Sequence, residues 1–394
     1  MKLCLLFCVP LLLTAQTHGF FEGSGDIGTV LHPGAVEFDG SAGRYTITAS
    51  GENLWGTADA FYFVWKKVSG DVTLTADITF PQAGGDPHKK AVLMVRQSLG
   101  ADAAYADVAT HGNGLTSLQA RDAKGAATHE IQSNLSGPRR LRLVKQGDYF
   151  YMQLAPQSGE PSMAGGGMKV PLTAPFYVGI GVSAHNKDAV EKAVFANLVL
   201  EPAARAKQPT IYSTLETVNV ASTDRRVSYV STHLLETPAW SPDGASLIFT
   251  DEGRAVRIPV EGGKPEPSDA AIHAAAKEVS PDGRYLYFAS ARSGKSQIWR
   301  ALADGTDPEQ VTNDEWSNYF PHLSPDGTRM VFLSSAKGAQ QAPHNEDVEL
   351  RVMTFATKAS KTLAKLIGGR GTLDLPCWSP DGKRVAFVSY QIVY

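Results

Sequence analysis

Cysteine is scarce. Only Cys4, Cys8 and Cys377 occur among 394 residues, and the first two fall in an N-terminal apolar run. Beyond that run Cys377 stands alone, so no intramolecular disulfide is expected, even in an oxidising compartment. Charge of one sign is also lacking: 37 Lys and Arg against 40 Asp and Glu leave a net −3. That balance removes nucleic acid from the expected partners. Long hydrophobic stretches are missing after Leu3–Leu13, and that run is too short to span a bilayer. No HExxH-type ligand spacing, nucleophile–base pair or phosphate loop is found, so no catalytic residue, metal or cofactor is expected.

What is present begins with the ends. Met1-Lys2, the apolar run and a short polar stretch read as a secretory signal over 1–19, with cleavage after Ala15 or Gly19. The chain is therefore expected to be exported, periplasmic or secreted, from a bacterium. Four copies of Ser-Pro-Asp-Gly follow, at Ser241, Ser280, Ser324 and Ser379. Each precedes a short strand that carries Phe249, Phe288, Phe332 or Phe387. Pro presets the turn, Asp hydrogen-bonds within it and Gly supplies its positive φ, so each copy makes one hairpin. Recurrence at about 40 residues marks a β-propeller or a similar array.

The first half, 20–202, alternates apolar and polar residues over short runs. Val72–Phe80 places Thr73, Thr75, Asp77 and Thr79 on the face away from its apolar residues. Similar runs at Arg44–Ala49, Phe61–Lys67, Ala91–Gln97, Ala104–Ala109, Thr116–Arg121, Arg140–Val144, Tyr149–Leu154, Phe176–Val182 and Ala193–Leu200 predict an antiparallel β-sandwich. Arg96, Gln97, Tyr105, Asp107, His111, Gln119 and Arg121 stand within otherwise apolar strands. With Trp55 they suit the planar polar groups and aromatic platforms that sugars need, and Arg96, Tyr105, His111, Gln119 and Arg121 are the candidate ligand-binding residues. The competing reading is the solvated face of a sheet. Asp77 and Asp107 show no spacing from which glycosidase chemistry follows. The segments VWKKVSGDVTLTADITF, KKAVLMVRQSL and FYVGIGVSAHNKDAVEKAVFANLVL resemble the concanavalin-A-like jelly-roll domains of exported bacterial proteins. That resemblance implies carbohydrate binding on a concave sheet face.

Residues 203–209 read as a linker, and 210–394 as the repeat domain. The second copy shows four strand-like parts, whereas the last stops after two. Ile211–Val220 and Arg225–Val230 are expected to supply its missing outer strands, closing a ring of about four blades from both ends of the domain. An incomplete ring needing a partner chain is the rival. The turns, and tails such as QIWRALADGTDPEQVT, resemble the propeller of TolB and related periplasmic proteins with WD-type repeats. Two departures stand out: TolB has six blades, and its α/β N-terminal domain is replaced here by the sandwich.

Loops at one mouth of the channel would present His233, Glu236, Trp316, Asn318, Tyr319, His322 and Asp374. His233, His322 and His344 are the only set from which a metal site would be built, and their spacing carries no ligand motif. The polar loop Gln340–Asp347 is longer than its counterparts, a feature of contact loops. The sequence thus predicts an all-β, non-enzymatic exported binding or scaffold protein. Its propeller would be a protein-interaction platform and its sandwich a carbohydrate-binding module, with a protein or an envelope polysaccharide as partner. The alternative is a carbohydrate-active enzyme, a polysaccharide lyase or hydrolase, with its site at the propeller mouth or the sandwich face.

Overall fold

The computed structural model describes residues 18–157, 159–203, 205–269, 278–336, 342–373 and 377–394. Every helix-or-strand element among them is a strand. None of the described residues forms a helix long and apolar enough to cross a membrane. Nearly all of the expected leader lies outside the described residues, as does Asp374.

In the first half two sheets share one apolar cluster. One runs Gly23–Ile27, Phe61–Val68, Phe176–Ser183, Lys90–Arg96, Tyr105–His111, Thr116–Arg121, His129–Gln132. The other includes, in order, Tyr149–Ala155, Arg140–Gln146, Val72–Thr79, Glu191–Pro202, Arg44–Ala49 and Ala35–Asp39. Leu93, Val95, Val108 and Ile180 of the first sheet meet Leu74, Ile78, Leu143 and Phe195 of the second. Alternation then sends Val92, Met94, Tyr105 and Ala109 to the first sheet's other face, where they form a second cluster with Leu54 and Phe61.

The outer face of the second sheet departs from expectation. Its outward residues are not solvated: Thr73, Thr75 and Asp77 are buried. On this face Asp77 accepts from Arg140 at 3.1 Å and from Asn197 at 2.7 Å, while Thr75 accepts from Arg142 at 2.9 Å. Long Arg stems from the neighbouring strand cover what the alternation pattern assigns to water. Asp77 and Asp107 lie on different sheets, each turned away from the shared cluster.

In the second half each Ser-Pro-Asp-Gly turn is locked the same way. The Ser hydroxyl donates to the Asp carboxylate at 2.5 Å in the first copy and 2.6 Å in the other three. The glycines take φ of 70°, 71°, 67° and 66°, a region closed to most side chains. Three blades are complete within the repeat: 235–267, 278–310 and 317–368. The fourth is built from both ends. Arg384–Val393 pairs along its whole length with Thr210–Asn219, from Thr210↔Val393 to Asn219↔Arg384, and Thr210–Asn219 pairs in turn with Arg225–Ser231. Trp378 bridges to Val385 on the inner side.

Among the described residues, however, one junction of the ring is not made. A methyl built on Gly327 would lie 3.4 Å from Pro281, on Gly382 3.8 Å from Pro325, and on Gly244 3.5 Å from Pro380. The fourth rung would bring Pro242 to Gly283, where nothing lies within 4 Å. Buried clusters join the second blade to the third, the third to the fourth and the fourth to the first. Among the described residues no such cluster joins the first to the second.

The two halves are not merely tethered. Ile131 and Gln132 pair in parallel with Arg225 and Arg226, so one sheet runs from the first half into the fourth blade. Val227 enters the first half's main cluster, and Lys365 reaches Asp122 at 2.8 Å. The residues expected as a linker include Arg205, which pairs with Asp71 at 2.5 Å.

Candidate functional site

The five sandwich candidates do come together, on the sheet face under the small hairpin Leu54–Trp55/Ala58–Asp59. Strand period explains it: Arg96, Tyr105, His111, Gln119 and Arg121 alternate with shared-core residues on three adjacent strands. They are buried because the hairpin closes over them.

Their polar atoms are spent on protein. Asp59 receives Arg121 at 2.7 and 3.0 Å and Arg96 at 3.4 Å, with all three side chains inaccessible. Arg96 also donates to the carbonyls of Ser98 and Gly100 at 2.8 and 2.6 Å. Arg121 donates to the Gly56 and Ala103 carbonyls at 3.1 Å each. Arg96, which sequence placement marks for a partner or a ligand, thus has Asp59 as its partner. Tyr105 contacts Thr128 at 3.2 Å, and burial raises its pKa well above that of a free phenol. His111 shares 2.9 Å with the Leu115 carbonyl, and burial, with Lys90 nearby, lowers its pKa to about 3. Gln97 instead pairs with the backbone of Thr173 at 2.7 and 2.8 Å.

Sequence reasoning missed Lys90, Asp59 and Glu130. Lys90 donates to Leu54 O at 2.7 Å and Asn53 Oδ1 at 3.2 Å, and lies 5.1 Å from the Trp55 ring. Burial lowers its pKa to about 8. Beside it Asp107 is fully buried with neither carboxylate oxygen partnered. Desolvation pushes that acid well above the usual carboxylate range. The period-two step from Arg96 back through Met94 and Val92 reaches Lys90, a signal the sequence did contain. Asp59 sits in a two-residue strand that no periodicity flags.

The described propeller candidates divide between the first blade and the junction of the second and third. His233 is exposed and pairs with Asp251 at 3.0 Å within the first blade. Glu236 lies on that blade's inner strand, beside Gly371. Asn318 is buried between the second and third blades, donating to Gln297, Thr312 and Asp314 at 3.0, 3.2 and 3.0 Å. The Trp316 carbonyl accepts from Gln297 at 2.6 Å, and Tyr319 is buried on the same inner strand as Asn318. His322 faces Glu278 across that junction at 3.6 Å, while its carbonyl accepts from Trp378 at 3.0 Å. Asn318 and His322 are blade fasteners. Among the described residues no three His, Cys, Asp or Glu side chains form a group able to hold a metal. Of the loop Gln340–Asp347 the described part ends on the first half: Asp347 bonds Tyr149 and Lys169.

A cleft unforeseen in the sequence lies between the halves. Its volume is about 400 Å³, and Asp122, His129, Lys169, Arg225, Glu349 and Lys365 line it. Arg225 is held by Glu216 at 2.7 and 2.8 Å, and Glu349 accepts from Thr362 at 2.7 Å.

Residues 204–362 match the family described as the TolB beta propeller domain. The repeat half is a TolB-like β-propeller. An uncharacterised protein of Agrobacterium fabrum is 35% identical over 165 residues, 38% of this chain and 53% of that relative. A TolB homolog of Chlorobium luteolum is 26% identical over 138 residues, 27% of this chain and 32% of that relative. The chain therefore spans about half and about a third of the curated relatives' lengths. It is also similar to a solved structure from Agrobacterium tumefaciens provisionally assigned to TolB: 25% identity, TM-score 0.40, 46% of this chain and 99% of that one.

Proposed function

We propose that this is an exported, non-enzymatic binding protein, working in the periplasm or outside the cell, whose TolB-like propeller is a protein-interaction platform. The first half, read as a concanavalin-like sandwich, would add a carbohydrate-binding module fixed rigidly to that platform. One observation carries the platform reading. The blade face with Val279, Leu286 and Phe288 is left half-covered or open, whereas the sandwich candidates Arg96, Tyr105, His111, Gln119 and Arg121 bond to other protein groups. Exposed apolar faces of this kind mark interaction surfaces.

The alternative, a polysaccharide lyase or hydrolase, draws its support from Asp107: an unpartnered buried acid beside Lys90 resembles a general acid held protonated. A single experiment separates the two. The full chain is immobilised, exposed to envelope extract and to an array of glycans, and then incubated with a polysaccharide panel. Specific retention of an envelope protein or glycan, without new reducing ends or unsaturated products, is the expected result. Turnover, lost in Asp107→Asn, would replace the binding reading with the enzymatic one.

A further inference from the structure

The open rung between the first two blades has the chemistry of a blade junction that has not been made. In each made junction, an apolar residue before the Ser-Pro-Asp-Gly turn and two on the strand after it press into the neighbouring blade. Leu323, Met330 and Phe332 press on the second blade at Tyr287; Trp378, Val385 and Phe387 on the third at Val331; Trp240, Leu247 and Phe249 on the fourth at Ala386. Phe249, Phe332 and Phe387 are 0% exposed, and Trp240, Leu323 and Trp378 are 6%, 7% and 3% exposed.

The second blade carries the same face, formed by Val279, Leu286 and Phe288. Val279 is 50% exposed, Leu286 and Phe288 are only partly buried, and none of the three joins a buried cluster. Arg292 lies over the rings of Phe288 and Trp299, at 5.4 and 4.8 Å from their centres. The receiving position on the first blade is Ile248, equivalent to Tyr287, Val331 and Ala386. It too is only partly buried and opens on a cavity of about 540 Å³, bordered by Pro242, Arg257 and Pro267.

We propose that these two faces are filled by a second copy of the chain. The Phe288 face of each copy docks on the Ile248 face of the other. The two faces are complementary in kind: each repeats, position by position, one side of an interface the same domain makes three times. Within one chain the two faces end opposite sides of the arc, and among the described residues no buried cluster joins them. A second copy brings both at once, and a two-fold axis satisfies both junctions with the same residues. Two arcs of four blades stay within the range of known propellers, about four to eight blades. This deepens the platform reading by naming one occupant. A monomer that still captures an envelope protein would overturn the dimer alone, and a dimer that captures nothing would overturn the envelope partner alone.

Light scattering after size exclusion, at micromolar protein, should give twice the mass of the chain loaded, which is 42.2 kDa with its leader retained. Phe288→Asp and Ile248→Asp should each shift the peak to monomer with far-ultraviolet dichroism unchanged. A chain carrying both Ile248→Cys and Phe288→Cys, treated with a short bis-maleimide, keeps the question answerable should the charged variants misfold. Covalent dimers are expected. An intrachain product would show that the ring closes on itself, and a wild-type monomer with no cross-link would show that neither face has this occupant. Either result overturns the proposal.

Discussion

Asp59→Asn is expected to destabilise the protein by about 3–5 kcal/mol, the usual cost of removing one partner from a buried ion pair. Asp59 is the one carboxylate that bonds both Arg96 and Arg121, and no solvent reaches any of the three side chains. With it neutralised, two guanidiniums remain buried with no bonded carboxylate, held by backbone carbonyls and the amide oxygen of the new Asn. The hairpin that carries Asp59 would lose its main tether to the sheet. Asp107→Asn is the informative control. That side chain is buried without a partner and held toward its neutral form, so an isosteric amide should change stability by less than about 1 kcal/mol at neutral pH. Urea unfolding read by tryptophan fluorescence measures both. Equal losses for the two variants would show that the Arg–Asp–Arg cluster does not hold the hairpin.

Acid should unfold the protein partly through His111. Its ring is buried and its folded pKa is lowered to about 3 from 6.5, chiefly by burial and then by Lys90. The unfolded chain therefore binds a proton between those values that the folded chain refuses. The resulting stabilisation is present in full above pH 6.5 and is lost progressively as pH falls toward 3. A shift of this size corresponds to about 4–5 kcal/mol. His111→Gln keeps a polar group near the Leu115 carbonyl but cannot titrate. It should flatten stability between pH 6 and about 3.5 relative to the wild type. Parallel curves for the two proteins would remove His111 from the account.

The sequence made the blade hairpins legible because Pro, Asp and Gly each encode a backbone angle. It also made the joining of the two ends legible: a blade with two strands needs two more, and Thr210–Asn219 does lie against Arg384–Val393. The sandwich strands were readable from period-two alternation, and Thr116–Arg121 and Arg44–Ala49 appear with the expected bounds. What alternation does not carry is coverage. Nothing in the pattern of Lys90–Arg96 says that a hairpin at Leu54–Asp59 will bury its polar face, because that hairpin comes from a distant, irregular stretch. Two of the mouth candidates lie elsewhere for a related reason. Asn318 and His322 look like loop-side polar groups in one dimension, yet curvature of the blade array turns them into the second–third junction. The sequence offered an incomplete ring as the rival but not which rung is open, since Phe288 has the same local sequence context as its three buried counterparts.

Four equivalent exposed positions offer a direct ruler for that rung: Ala245, Arg284, Thr328 and Lys383, each following the glycine of its turn. Spin labels placed in pairs, with labelled chains diluted in unlabelled protein, report the spacing of neighbouring turns by pulsed dipolar spectroscopy. The pairs 284–328, 328–383 and 383–245 should share one short distance, and the pair 245–284 should be clearly longer. Four equal distances would mean a closed four-blade ring and would contradict the account.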